Sequence, residues 1–122
     1  ALALIEAELP SSRGAREYPL YVKGLIRRQE GRIRDSLQLF QQVAALNPSS
    51  ISNLKQVGRS LFLLGKHKGG LEVYREAQNL GIEDWELYHN KGLCHMYLKQ
   101  YDQALENFKS ANAIHRHDNT YI

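Results

Sequence analysis

Cysteine is nearly absent: Cys94 is the single one in 122 residues. One thiol forms no internal disulfide, so a disulfide framework is excluded and a reducing compartment such as the cytosol is expected. Long hydrophobic runs are also missing. None approaches the roughly 20 residues that a membrane-spanning helix needs. The opening Ala1-Leu2-Ala3-Leu4-Ile5 is too short, and lacks the basic leader, for a secretory signal. A strong charge of one sign is missing too. Sixteen Lys and Arg against 13 Asp and Glu leave a formal net charge of +3, well short of the basic stripe of a dedicated nucleic-acid binder. What remains is ordinary for a globular protein: 43% hydrophobic and 24% charged residues.

The chain is rich in internal repetition. Gly24, Gly58 and Gly92 are spaced by 34 residues. The same offset links Phe40, Tyr74 and Phe108, then Val43, Ala77 and Ala111, then the small Ser36, Gly70 and Ala104. It also links Leu37, Leu71 and Leu105, and Leu46, Leu80 and Ile114. Six columns matched in size and polarity at a period of 34 define the tetratricopeptide repeat, a helix–turn–helix unit. The expected fold is therefore all-α, a superhelical solenoid of antiparallel helix pairs. Gly24, Gly58 and Gly92 fall inside first helices, where glycine costs about 1 kcal/mol relative to alanine. Close approach of the second helix is the expected return, with the small column facing the glycines and the aromatic column filling space toward the next repeat.

Turn chemistry sets the boundaries. Glu30-Gly31-Arg32 and Leu64-Gly65-Lys66 place Gly at helix ends, and Leu98-Lys99-Gln100 is their counterpart without Gly. Pro48 stops a helix, with a following Ser as the next cap, and Asp84 is the expected N-cap of the third repeat. Helices are predicted near 18–30, 34–46, 51–64, 68–80, 85–98 and 101–114, with a further one over 1–9 and a linker at 10–14. The units are 17–50, 51–84 and 85–118. Residues 1–16 form a partial preceding repeat and its linker, and 119–122 the start of a further one. With no initial Met and this final partial repeat, the expectation is a segment of a longer solenoid.

In such a solenoid the first helices line a concave groove that holds a peptide or a partner helix. Counting from the glycine column, Tyr21, Arg28, Lys55, Arg59, Phe62 and His89 are the partner-facing candidates, since aromatics and Arg are enriched at binding hot spots. The alternative for each is packing against a neighbouring repeat. Repeats that grip acidic chaperone C-termini carry a Lys/Asn/Arg clamp. Tyr21, Leu25, Gln56, Glu86 and Asn90 stand at the corresponding positions, so that clamp is absent.

Other chemistry finds little support. His89, Cys94 and His95 are close in sequence, as are His115 and His117, but Cys94 and His95 diverge by about a quarter turn on a helix. No closed four-ligand zinc shell is evident. No metal or cofactor is expected. Cys94 reads as a small buried residue, without a base and an orienting group for catalysis. Gly69-Gly70 lacks the Lys-Ser/Thr of a phosphate loop. Arg13, Arg16, Lys23, Arg27, Arg28, Arg32 and Arg34 make a basic stretch that would suit an acidic partner, a phosphoinositide or RNA. A solvated helical face is favoured for it.

Particular strings narrow the reading: Tyr21-Val22-Lys23-Gly24-Leu25-Ile26, the run 53–68 from Asn53 to Lys68, Asp84-Trp85-Glu86, Tyr97-Leu98-Lys99-Gln100-Tyr101, and 116–122. Over Tyr18 to Ile122 the chain resembles the family of tetratricopeptide subunits of the Bardet–Biedl syndrome complex, the BBSome. It departs at Arg27, where an apolar or aromatic residue is expected, and at Gly69-Gly70, where small helix-formers are. The resemblance implies a non-enzymatic subunit of a coat-like complex that moves membrane receptors into and out of cilia, and a role in ciliogenesis. It implies protein partners: other BBSome subunits, a pericentriolar satellite protein and dynein-linked components. The implied places are the cytoplasm, cilium, basal body and centriolar satellites. Alternatives are a generic cytosolic adaptor built from the same repeats, or a basic lipid- or RNA-binding module.

Overall fold

A computed structural model describes the backbone of residues 12–118 and the side chains of 16–115. Six α-helices and no strands occur among these: α1 (Ser12–Gln29), α2 (Ile33–Leu46), α3 (Ile51–Leu63), α4 (His67–Gln78), α5 (Trp85–Tyr97) and α6 (Tyr101–Asp118). Consecutive helices pack against each other along the described residues. This is the nearest-neighbour stacking of a tetratricopeptide solenoid.

Local chemistry accounts for the ends. The Ser50 side chain accepts from the Asn53 N–H at 3.2 Å, and Asp84 Oδ1 accepts from the Glu86 N–H at 2.9 Å, both N-caps. The turn inside each pair is the same motif three times. The N–H of residues 31, 65 and 99 donates to the carbonyl three back, and that of 32, 66 and 100 to the carbonyl five back, all at 2.8–3.0 Å. Such a double bond pattern needs a left-handed residue. Gly31 and Gly65 supply it at φ 82° and 79°, and Lys99 adopts it at φ 63° without being glycine.

The first helix differs from expectation. It begins at Ser12, not near Tyr18, and runs through Pro19. Ser12 and Gly14 fall in its first turn, where the N–H groups have no intrahelical acceptor in any case. Pro19 removes one interior bond, to the carbonyl of Ala15, and α1 absorbs the loss. The linker expected at 10–14 is thus helical over 12–14. Residues 1–11 and 119–122, on which the flanking partial repeats were placed, lie outside the described residues.

The aromatic column reaches toward the next repeat, where Phe40 clusters with Val57 and Tyr74 with Leu87 and Cys94, and it also lies on the glycine of its own pair. A Cβ on Gly24 would lie 2.8 Å from Phe40, one on Gly58 2.5 Å from Tyr74, and one on Gly92 2.7 Å from Phe108. Removing the Cβ lets a whole ring lie on the first-helix backbone. The small column reaches both ways. A Cβ on Gly70 would lie 3.3 Å from the Gly58 carbonyl and 3.6 Å from Cys94 Sγ. One repeat earlier, Ser36 Oγ lies 3.3 Å from Ser60 Oγ, the position equivalent to Cys94. Small residues therefore sit where a second helix is wedged between two first helices. Around them Leu37, Phe40 and Val57 form one core cluster, and Leu54, Leu71, Tyr74, Ala77, Leu87 and Cys94 another.

Candidate functional site

The three first helices share one face, and a depression of about 420 Å³ runs across it. Leu25, Arg28 and Gln29 of α1 line it, with Lys55, Gln56 and Arg59 of α3 and Glu86 and Asn90 of α5. Arg59 and Asn90 also line an adjoining, narrower pocket of about 130 Å³, together with Phe62, Leu63, Tyr74 and Leu93.

Three of the six partner-facing candidates are engaged in holding repeats together. The Tyr21 hydroxyl lies 3.0 Å from Ser52 Oγ and accepts from Gln56 Nε2 at 2.9 Å. Its ring meets Phe40 edge-on at 5.5 Å. Arg28 donates to Gln56 Oε1 at 2.6 Å, and to the Gln56 carbonyl and Ser60 Oγ at 3.2 Å each. Its guanidinium sits 4.9 Å above the Phe40 ring. Burial lowers the Arg28 pKa, and the neighbouring Arg59 charge lowers it further. Lys55 donates to Asp84 Oδ2 at 2.9 Å and Glu86 Oε1 at 3.3 Å. Burial works against its charge, but the hydrogen bonds and charges of Asp84 and Glu86 prevail and raise its pKa. These contacts span α1 to α3 and α3 to α5, so part of the basic character of the face is already answered from within.

The other three are placed otherwise. Arg59 is exposed and makes no hydrogen bond or ion pair among the described residues. Phe62 is half-buried against His67 at 4.9 Å and Tyr97 at 5.2 Å. His89 is exposed beside Trp85 at 6.1 Å and Phe108 at 5.6 Å, and lines neither depression. Arg59 and Phe62 therefore share the narrow pocket, and Tyr21 lies in a separate hollow of about 360 Å³ with Glu17 and Asn53. The narrow pocket also uses Tyr74, Asn90, Leu63 and Leu93, which sequence reasoning had not placed together. A tyrosine in a column otherwise filled by Phe40 and Phe108 was the available signal.

No three His, Cys, Asp or Glu side chains among the described residues are placed to hold a metal. His95 Nδ1 lies 2.8 Å from Gln100 Oε1. Burial pushes the Cys94 thiol up to about 11, so it is protonated and unreactive at neutral pH. In the basic stretch, Arg27 pairs with Glu30 at 3.1 Å and Arg32 with Asp35 at 2.7 Å. No described helix is long and apolar enough to cross a membrane.

Helix pairs repeated at 34 residues, with glycine–aromatic contacts inside each and one shared inner face, define a tetratricopeptide-repeat protein. The tetratricopeptide-repeat family matches residues 86–115. Within that class it is similar to BBSome complex member BBS4: 52% identical over 120 residues to the Bos taurus and Mus musculus proteins, covering 98% of this chain. The Drosophila melanogaster homolog is 41% identical over 90 residues, covering 73% of this chain and 18% of its own. This chain spans 23% of the length of the two mammalian relatives. Among solved structures, MamA superposes with a TM-score of 0.77 at 19% identity, over 84% of this chain and 60% of that one. The first repeat domain of Spaghetti (RPAP3), bound to an HSP90 peptide, gives 0.76 at 14%, over 80% and 77%. At those identities the structures show the shared fold.

Proposed function

We propose that this chain is part of the repeat scaffold of a BBSome subunit and holds protein partners along its inner face, without bond chemistry. The observation that carries this reading is 52% identity to BBSome complex member BBS4 over 98% of the chain. On it, 17–50, 51–84 and 85–118 are the repeat units. The partners are other BBSome subunits, with a pericentriolar satellite protein and dynein-linked components beyond them. The setting is ciliary membrane-protein trafficking and ciliogenesis, at the cilium, basal body and centriolar satellites. Arg59 and Phe62 are the first of the expected residues to consider for partner contact. Arg59 is free of internal partners, and Phe62 lines the same pocket. Tyr21, Arg28 and Lys55 support the site by fixing helix positions.

Affinity capture on the tagged chain from ciliated cells tests the reading. Other BBSome subunits should be recovered at stoichiometric levels. Recovery of chaperones alone would instead favour a generic adaptor, and would defeat the ciliary assignment.

A further inference from the structure

Of the three aromatic residues that cover the glycine column, Tyr74 alone has a hydroxyl. Its side chain is 1% exposed, lies on Gly58, and forms part of the wall of the 130 Å³ pocket. Buried tyrosine hydroxyls ordinarily find a hydrogen-bond partner. This one has none among the described residues, and it is not sealed from solvent. Burial pushes its pKa far up, against the lowering effect of the positive charges of Arg59 and Arg28. It therefore stays an O–H donor at any physiological pH.

The rest of the pocket wants the same complement. The Arg59 guanidinium is exposed, carries no carboxylate partner, and faces a second arginine, Arg28, whose charge it disfavours. Asn90 adds an amide. Phe62, Leu63 and Leu93 make the remaining wall apolar. A cavity of about 130 Å³ is below the roughly 300–1,000 Å³ of small-molecule sites and suits one side chain.

We propose that this pocket is a subsite for one acidic side chain, Asp or Glu, of a protein partner lying along the inner face. The Tyr74 hydroxyl and the Arg59 guanidinium donate to the carboxylate, and Phe62, Leu63 and Leu93 flank its methylenes. The inference rests on the reading that this face holds a protein. A carboxylate suits it better than a dianionic phosphate, because the further cations near Arg59 are already engaged, Arg28 by Gln56 and Ser60 and Lys55 by Asp84 and Glu86.

The test uses the full 122-residue chain and fluorescein-labelled peptide pools of about nine residues. Each pool fixes its central residue as Glu, Asp, Gln, Leu or phosphoserine and varies the others. Fluorescence anisotropy should show the Glu or Asp pool binding about tenfold more tightly than the Gln pool, the scale of a charge-assisted hydrogen bond. Tyr74→Phe should weaken the acidic pool by about tenfold and leave the Gln pool unchanged. It should fold normally, because Phe fills this column in both neighbouring repeats. Arg59→Gln, on an exposed position, should act in the same direction. Equal binding of the Glu and Gln pools, no effect of Tyr74→Phe, preference for phosphoserine, or no binding at all would each overturn the proposal. The two readings separate in capture experiments. BBSome subunits recovered equally by the parent chain and Tyr74→Phe would refute the acidic subsite alone. Failure to recover them while acidic peptides still need the hydroxyl would refute the BBSome assignment alone.

Discussion

A Cβ on Gly58 would stand 2.5 Å from Tyr74 Cε1, inside any van der Waals contact, and the ring it meets is locked in the core. Alanine is the better helix former by about 1 kcal/mol, yet Gly58→Ala should destabilise the chain by about 1–3 kcal/mol through overpacking. Gly69 is the control, because a Cβ there meets nothing closer than Leu61 Cδ1 at 3.7 Å. Gly69→Ala should raise stability by up to about 1 kcal/mol. Urea midpoints at unchanged m decide both, and a stabilised Gly58→Ala would mean that the ring can move aside. Lys99 offers the opposite case, a side chain at φ 63° where its counterparts are glycine. Lys99→Gly should stabilise by about 0.5–1 kcal/mol by relieving the left-handed strain; an unchanged or lower midpoint would show that the motif does not strain the lysine. The period of 34 revealed that the glycines matter. It did not reveal which ring covers them, because that depends on how two helices cross.

Between elements, one carboxylate does two things. Asp84 Oδ1 caps α5, and its Oδ2 holds Lys55 of α3 at 2.9 Å. Asp84→Asn keeps an acceptor for the cap and removes the charge, so it should cost under about 1 kcal/mol. Asp84→Ala loses the cap too and should cost about 0.5–2 kcal/mol more. Equal losses would show that the cap contributes nothing. The Lys55 pKa is raised above its ordinary 10.5. The folded state therefore holds this proton more tightly than the unfolded one. The associated stability is complete below pH 10.5 and is lost as pH rises through the folded pKa. Alkaline unfolding should accordingly be shallower in Lys55→Met than in the parent chain; parallel curves would remove Lys55 from the account. At this scale the sequence was legible in part. Helix type and the Ser50 and Asp84 caps follow from local chemistry. The start of α1 did not, because Ser12, Gly14 and Pro19 resemble a loop until packing holds them in a helix. The fate of Tyr21, Arg28 and Lys55 was not legible either. Their partners lie about thirty residues away, and periodicity gives a residue's face but not what stands opposite.

In the whole molecule, equivalent residues carry different energies according to their place in the stack. Leu37 and Leu71 are 8% and 5% exposed, whereas Leu105 in the same column is 54% exposed. A sum of repeats with nearest-neighbour interfaces predicts that the middle pair is the most constrained, since α3 and α4 are flanked on both sides. Leu71→Ala should therefore cost about 2–5 kcal/mol, the range for emptying a core leucine site. Leu105→Ala should cost under about 1 kcal/mol, in line with the small apolar area it removes from contact. Amide hydrogen exchange should rank in the same order, slowest in α3 and α4 and faster in α6. The distribution bears on binding as well. The narrow pocket is built from α3, α4 and α5, so its Tyr74 and Arg59 belong to the part of the chain held most firmly. A partner contacting it would meet side chains already in place and would lose little entropy in ordering them. Equal costs for the two leucine substitutions, or faster exchange in α4 than in α6, would mean that the chain unfolds as one unit and that this pre-ordering is not a property of position in the stack.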